Sequence, residues 1–244
     1  MSSPFLKVGI KQSIENWDNS IDEHTWNKQK NRRSENWHYA NLLKDPIYYN
    51  TNTFGYRTPE FQFDNDYALA FGCSNTYGLF QYEKERYSNL LEDQLNIPVY
   101  NLGISGGSTN IILMNVLNLI TSGIKLPKLV VIQWPKQMRL CFPYEDISPG
   151  VASILAEGVR SKIFKSLMRY GNLIEYNSLW AKETTIKMLD LFNIKTVEFA
   201  LEDFTAAAFD VPHINRIDTA FDNQHIGPKT NKEIVNLIGK EYNV

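Results

Sequence analysis

The sequence predicts an α/β fold: a three-layer α/β/α domain built on a mostly parallel sheet, with an N-terminal extension. Three observations predict it. From Asp66 onward, short apolar runs alternate with stretches of helical period, the form that successive βαβ units take in sequence. KLVVIQW, bounded by Pro127 and Pro135, is nearly unbroken in apolar residues, as a parallel strand covered on both faces must be. The 244 residues, 43% hydrophobic and 21% charged, suit one globular core.

The elements follow in order. DYALAFG reads as a buried strand ending at Gly72, and IPVYNLG and KLVVIQW as the second and third strands. Between the first two, Glu83 to Leu95 places Tyr87, Leu90, Leu91 and Leu95 on one stripe of a helix. NIILMNVLNLI reads as a strongly apolar helix wedged between sheet and neighbour. After Pro143 a helical insertion is expected over Val151 to Tyr170, then a longer helix from about Leu173 to Phe192 that feeds a fourth strand, KTVEFAL. The last helix, about Lys229 to Tyr242, follows Gly227 and Pro228 and gathers Ile234, Leu237 and Ile238 on one face. This order of strands and helices is flavodoxin-like.

Residues 1–64 read differently and are taken as an extension packed on the domain of residues 65–244. They are rich in Asn, carry the charged run KQKNRRSE, and set Trp17, Trp26 and Trp37 among polar neighbours. Only Asn36 to Leu43 has the pattern of a short helix, while NTNTFGYRTPEF has the punctuation of an ordered loop. Anchoring to the domain is the plain role of the tryptophans; the alternatives are a ligand platform or an oligomer contact made through the extension.

Composition excludes several function classes. Lys and Arg number 25 against 27 Asp and Glu, a net charge of −2, so the chain has no broad electrostatic footprint for nucleic acid. The start, MSSPFLKVGIKQSIENWDN, has no apolar run of signal-peptide length and no stretch elsewhere approaches a membrane span, so a cytoplasmic or otherwise non-exported location is expected. Cys73 and Cys141 form no disulfide framework and read as reduced, small core residues. Four scattered histidines show no metal-ligand spacing, and no cofactor is expected; His24 and His38 read as surface or packing residues of the extension.

In open parallel sheets ligands sit beyond the carboxyl ends of the strands, so the turns leaving each strand carry the functional reading. The first, FGCSNTYG, puts Ser74 at a strand-to-helix bend, where it is either a helix cap or a projecting hydroxyl. The second, NLGISGGSTN, has Gly103, Gly106 and Gly107, which let backbone amides approach an oxyanion or a phosphate. Their spacing is not that of a dinucleotide fingerprint. Near the C-terminus Asp222 and His225 stand three residues apart in a loop, a spacing that lets a carboxylate orient an imidazole. Asp210 and His213 repeat that spacing, and spacing alone does not choose between the two pairs.

Taken together, these blocks resemble the SGNH, or GDSL-type, family of esterases and acylhydrolases. GCSNTYG (Gly72 to Gly78) matches the family's Gly-Asp-Ser-x-Thr-x-Gly, with Cys73 in place of Asp. The Asn-x-x-Ile-Ser-Gly setting lands on Asn101 to Gly106, and Asp-x-x-His before the terminal helix lands on Asp222 and His225, selected over Asp210 and His213 by the His-x-Gly-Pro continuation. The likeness runs from about Phe54 to Tyr242. It implies a Ser74, His225 and Asp222 triad, with an oxyanion held by the amides of Ser74 and Gly106. The family's Gly-x-Asn-Asp block is replaced here: Pro135 stands for Gly, Gln137 for Asn and Met138 for Asp, making Gln137 the stand-in for the side-chain donor. Loss of one oxyanion donor costs about a hundred- to a thousandfold in turnover.

The expected activity is hydrolysis of a carboxylic ester, either an O-acetyl group of a carbohydrate or a small acyl ester, so the expected partner is a small-molecule or glycan ester. Cys73, beside the nucleophile, would point elsewhere and not compete as a thiolate. The alternative from another class is a binding or structural protein that keeps the scaffold with weak or no chemistry, motivated by the altered third block. A mononucleotide binder using the Gly106 turn ranks last, because it leaves Ser74 and His225 without a role.

Overall fold

The computed structural model describes residues 4–6, 47–137, 139, 142–143, 149–150, 171–220 and 224–242. In chain order these contain β1 (Ala68–Gly72), α1 (Ser74–Tyr77), a 3-10 turn (Glu83–Glu85), α2 (Tyr87–Leu95), β2 (Val99–Gly103), α3 (Thr109–Thr121) and β3 (Leu129–Trp134). There follow β4 (Phe142–Pro143), β5 (Pro149–Gly150), α4 (Gly171–Leu191), β6 (Lys195–Ala200), α5 (Asp203–Phe209) and α6 (Pro228–Tyr242). The main sheet has the order β2-β1-β3-β6 and every pairing in it is parallel. β4 and β5 form a separate antiparallel pair.

The pleat sorts the strand side chains into two cores. Leu69, Phe71, Leu102, Val130, Ile132 and Trp134 face one side, where α3 adds Ile111, Ile112, Val116 and Leu119 and α4 adds Leu189. Ala68, Ala70, Val99, Leu129, Val131 and Phe199 face the other, covered by Tyr87 and Leu91 of α2 and by Ile234, Val235 and Ile238 of α6. The sheet is therefore sandwiched, which is why β1, β2 and β3 are buried at every residue. Each fully buried large aliphatic or aromatic side chain contributes roughly 1.5–3 kcal/mol to that sandwich.

The described parts of the N-terminal region lie on the first core. Phe5 meets Phe61, Phe63, Phe71 and Tyr56 edge-on, with ring centroids 5.1–6.5 Å apart, and the Leu6 amide donates to Asn115 Oδ1 on α3 at 2.9 Å. Trp17, Trp26, Trp37, His24, His38 and the Asn36 to Leu43 helix expectation lie outside the described residues, as do Cys141, Met138 and the Val151 to Tyr170 insertion.

One helix boundary and one additional helix differ from the sequence reading. The expected helix over Glu83 to Leu95 breaks at Arg86, which has an extended backbone (φ −69°, ψ 142°) and separates the 3-10 turn from α2. Its guanidinium makes a tertiary bond to the Arg57 carbonyl at 2.6 Å and a local pair with Glu83 at 3.1 Å. The helix α5 was not expected, because DFTAAAF lacks the apolar stripe of a long helix and is held by only Thr205, Ala206 and Phe209 on its buried side.

Candidate active site

The site forms where β1 hands the chain to α1. Cys73, extended, is the N-cap of α1, and Ser74 is its first residue. No side-chain cap bond forms at this helix start. The Ser74 hydroxyl is instead 2.8 Å from His225 Nε2, across 151 residues of sequence. Of the two readings of Ser74, cap or projecting hydroxyl, the geometry corresponds to the second.

Close backbone packing sets this turn. A Cβ at Gly103 would lie 2.3 Å from the Tyr77 nitrogen, so only glycine at the end of β2 lets α1 lie down on the sheet. Gly106 has φ +74°, in the left-handed region, and turns the loop back so that the Gly107 amide reaches the Ile104 carbonyl at 2.8 Å. The Ile104 amide in turn donates to the Gly72 carbonyl at 3.1 Å, which binds the glycine loop to the end of β1 beside Ser74.

Beneath Ser74 lies a buried polar cluster. Gln133 Oε1, on β3, accepts from the Cys73 amide (3.2 Å), the Cys73 thiol (3.1 Å) and Thr76 Oγ1 (3.3 Å), and Tyr87 OH donates to Thr76 Oγ1 at 3.0 Å. Cys73 thus points into the protein while Ser74 faces His225. Burial raises the Cys73 thiol, but the Arg139 charge, with hydrogen bonds from the Asn75 backbone, Arg139 and Ser74, outweighs it and holds the thiol below its ordinary value. Asn101 Nδ2 donates to the Thr76 carbonyl at 2.6 Å and so ties α1 to β2.

The His225 loop is fixed from the Ser74 side. Asn75 Oδ1 accepts the Ile226 amide at 3.1 Å, and Gln81 Nε2 donates to the Ile226 carbonyl. Gln81 Oε1 accepts from Asn231 Nδ2 on α6 at 2.6 Å, and its backbone carbonyl accepts from Arg57 Nη2 at 3.0 Å. Arg57 also donates to the Gly78 and Tyr48 carbonyls and lies 4.3 Å over the Tyr49 ring. Phe80, in the left-handed region at φ +57°, sets its ring 6.3 Å from that of His225. On the far side of the loop, the His225 carbonyl accepts the Ala220 amide at 2.9 Å, and Asp218 caps α6 through the Lys229 and Thr230 amides, both at 2.9 Å.

Of the residues singled out in the sequence, Ser74 and His225 are brought together, and Asp222 lies outside the described residues. The second Asp-x-x-His pair does not form. His213 Nδ1 is 2.7 Å from Asp203, while Asp210 is the left-handed C-cap of α5. Gln137 is half-buried, and its backbone carbonyl accepts from Ser178 Oγ on α4. Asn75, Gln81, Arg57 and Arg139 were missed in the sequence reading. Asn75 lies within the GCSNTYG block and Gln81 three residues beyond it, and neither carried a signal of its own, since their partners lie 145–151 residues away. Among the described residues there is no group of three or more His, Cys, Asp or Glu able to hold a metal, and no helix is long and apolar enough to cross a membrane.

A family described as "Domain of unknown function (DUF6473)" matches residues 33–139, a span that includes Ser74, Gly106 and Arg139 but not His225. No curated protein matches the sequence. Among solved structures, the chain is similar to one from Desulfitobacterium hafniense described as a lipolytic protein of the G-D-S-L family, at 11% identity and a TM-score of 0.44, covering 72% of this chain and 99% of that one. AlinE4, described as an SGNH-hydrolase family esterase, is 17% identical with a TM-score of 0.38, over 62% of this chain and 76% of its own. A carbohydrate esterase family 2 enzyme with a carbohydrate-binding domain, from Corynascus thermopiles, is 11% identical with a TM-score of 0.42, over 76% of this chain and 69% of its own.

Proposed function

We propose that the chain is a serine hydrolase that cleaves carboxylic esters, with Ser74 as nucleophile and His225 as general base. The observation that carries this reading is the 2.8 Å approach of Ser74 Oγ to His225 Nε2 at the carboxyl end of β1. A serine hydroxyl is a weak nucleophile until a base takes its proton, and an imidazole nitrogen at this distance is placed to take it. Asp222, three residues before His225, is the proposed carboxylate that orients the imidazole and stabilises its charged form. The tetrahedral oxyanion would be received by the backbone amides of Ser74 and Gly106, with Gln137 as the side-chain donor. Water would then release the acyl group from Ser74. The substrate class is a small acyl ester or an O-acetylated carbohydrate.

Treatment with a fluorophosphonate probe, alongside hydrolysis of p-nitrophenyl acetate, tests this. Wild type is expected to be labelled and active. Ser74→Ala abolishes labelling, and Ser74→Ala and His225→Ala each lower kcat by at least about a thousandfold. A wild-type protein that is neither labelled nor more active than these variants refutes the reading.

A further inference from the structure

One charged side chain at the site has no role in the Ser74 and His225 pairing. Arg139 lies five residues beyond the end of β3, and its Nη1 donates to the Gly107 carbonyl at 3.2 Å. The charge of the same guanidinium acts on the Cys73 thiol, next to Ser74, and lowers it. Its head group is therefore bonded to the turn that carries the Gly106 amide and acts through its charge on the turn that carries Ser74.

Arg139 is half-buried, and among the described residues it has no carboxylate partner. Its nearest basic neighbour in sequence, Lys136, is differently placed: Lys136 and Arg216 both pair with Glu202, at 3.5 and 2.8 Å. Among the described residues, Arg139 Nε is buried without a hydrogen-bond partner, and so are the hydroxyls of Ser108 and Thr109, where the glycine loop enters α3. That helix start adds the positive end of a 13-residue helix to the same corner. A partly desolvated cation without a counter-ion is costly. It becomes favourable when negative charge forms beside it, and attack by Ser74 on an ester forms such a charge.

We propose that Arg139 is a charged oxyanion donor: its guanidinium stabilises the negative charge that develops on the substrate's carbonyl oxygen, together with the Ser74 and Gly106 amides. The proposal rests on the serine-hydrolase reading above. As the bond from Ser74 Oγ to the carbonyl carbon forms, the hydroxyl proton passes to His225 Nε2 and the carbonyl π pair moves onto oxygen, where Arg139 donates to it. On collapse that pair returns, the bond to the alcohol oxygen breaks, and the departing oxygen takes the proton from His225. Arg139 stays protonated throughout. Because no carboxylate among the described residues neutralises it beforehand, its interaction is stronger in the transition state than with the neutral ester, which is the condition for raising kcat. A charged donor here would offset the missing asparagine of the third block.

The test uses the full chain and a neutral ester, p-nitrophenyl acetate, with phenylboronic acid as an inhibitor that forms an anionic tetrahedral adduct on a serine oxygen. Arg139→Gln is expected to lower kcat about a hundred- to a thousandfold with KM changed less than about threefold. It should weaken boronate inhibition by about tenfold or more. Arg139→Lys, which keeps the charge on a different head group, recovers part of the loss. Circular dichroism and thermal melting identify variants that remain folded, and Arg139→Lys keeps the comparison open if Arg139→Gln does not fold. A folded Arg139→Gln that retains more than about a third of wild-type kcat on the neutral ester, or loses rate only through KM, overturns the proposal. If it fails only on mono-p-nitrophenyl succinate, Arg139 reads a substrate carboxylate instead, and the proposal is equally overturned. Wild type without labelling or hydrolysis removes the serine-hydrolase reading itself, and this inference with it.

Discussion

Asn75 accepts the Ile226 amide at 3.1 Å, so the residue after the candidate nucleophile holds the residue after the candidate base. Gln81 holds the carbonyl of the same Ile226. Both polar groups of one buried residue are thereby satisfied by side chains from the other half of the site. Replacing Asn75 or Gln81 by Ala leaves a buried backbone group unmet, at a cost of about 1–3 kcal/mol each. Urea unfolding is expected to show that loss. If the serine-hydrolase reading holds, kcat should fall about ten- to a hundredfold with little change in KM, since His225 is displaced and the substrate contacts are not. Unchanged stability in both variants would mean that these bonds do not hold the loop.

Arg57 joins the N-terminal segment to the turn after Ser74 through the carbonyls of Tyr48, Gly78 and Gln81, and is almost fully buried at 1% exposure. Burial presses its guanidinium below the ordinary range, and Tyr49, Tyr77 and Glu83 act in the opposite sense. Arg57→Met strands several buried carbonyls at once and is expected to cost about 3–5 kcal/mol in chemical denaturation. Arg57→Lys, with one head group and no fork, should recover less than half of that.

His213 and Asp203 form a pair at the protein surface, with side-chain exposures of 27% and 87%. Exposed pairs contribute about 0–1 kcal/mol. His213→Ala is expected to leave the melting temperature within a few degrees and, if the serine-hydrolase reading holds, ester hydrolysis near wild type. A collapse of activity would transfer the base to His213 and refute the choice of His225.

Tyr56, Tyr67 and Tyr87 are all pushed upward as acids, chiefly by burial. Their phenols stay protonated in the folded chain at a pH where an unfolded tyrosine ionises, near about 10. Above that point the unfolded chain binds fewer protons than the folded one, so stability falls as pH rises, by up to about 1.4 kcal/mol per pH unit for each such tyrosine. Below it the contribution is constant. Titration of tyrosinate absorbance should therefore show a late step that coincides with loss of the circular dichroism signal. Smooth ionisation of every tyrosine before unfolding would contradict this.

The sheet was legible because its signals are local: Leu69, Val130 and Ile132 lie in runs whose apolar character is visible without knowing their partners. Ser74 and His225 were legible for a related reason, since each sits in a short block of fixed spacing beside a helix start. Asn75, Gln81 and Arg57 were not, because polar residues announce nothing until the groups they satisfy are known, and those groups come from distant chain segments. The break at Arg86 was hidden for the same reason. A helical stripe at Tyr87, Leu90 and Leu91 says where a helix faces, not where a tertiary hydrogen bond interrupts it.

The hold of Arg57 on Gly78 and Gln81 bears on how such a chain can be divided or recombined. A version cut just before the first strand would keep Ser74 and His225 but lose the cation that ties down the backbone beyond α1, along with Phe5 from the aromatic cluster. The end of this sheet that carries Ser74 and His225 is thus not a portable module. Grafting it onto another leader sequence would require a new donor for those carbonyls as well as a new join.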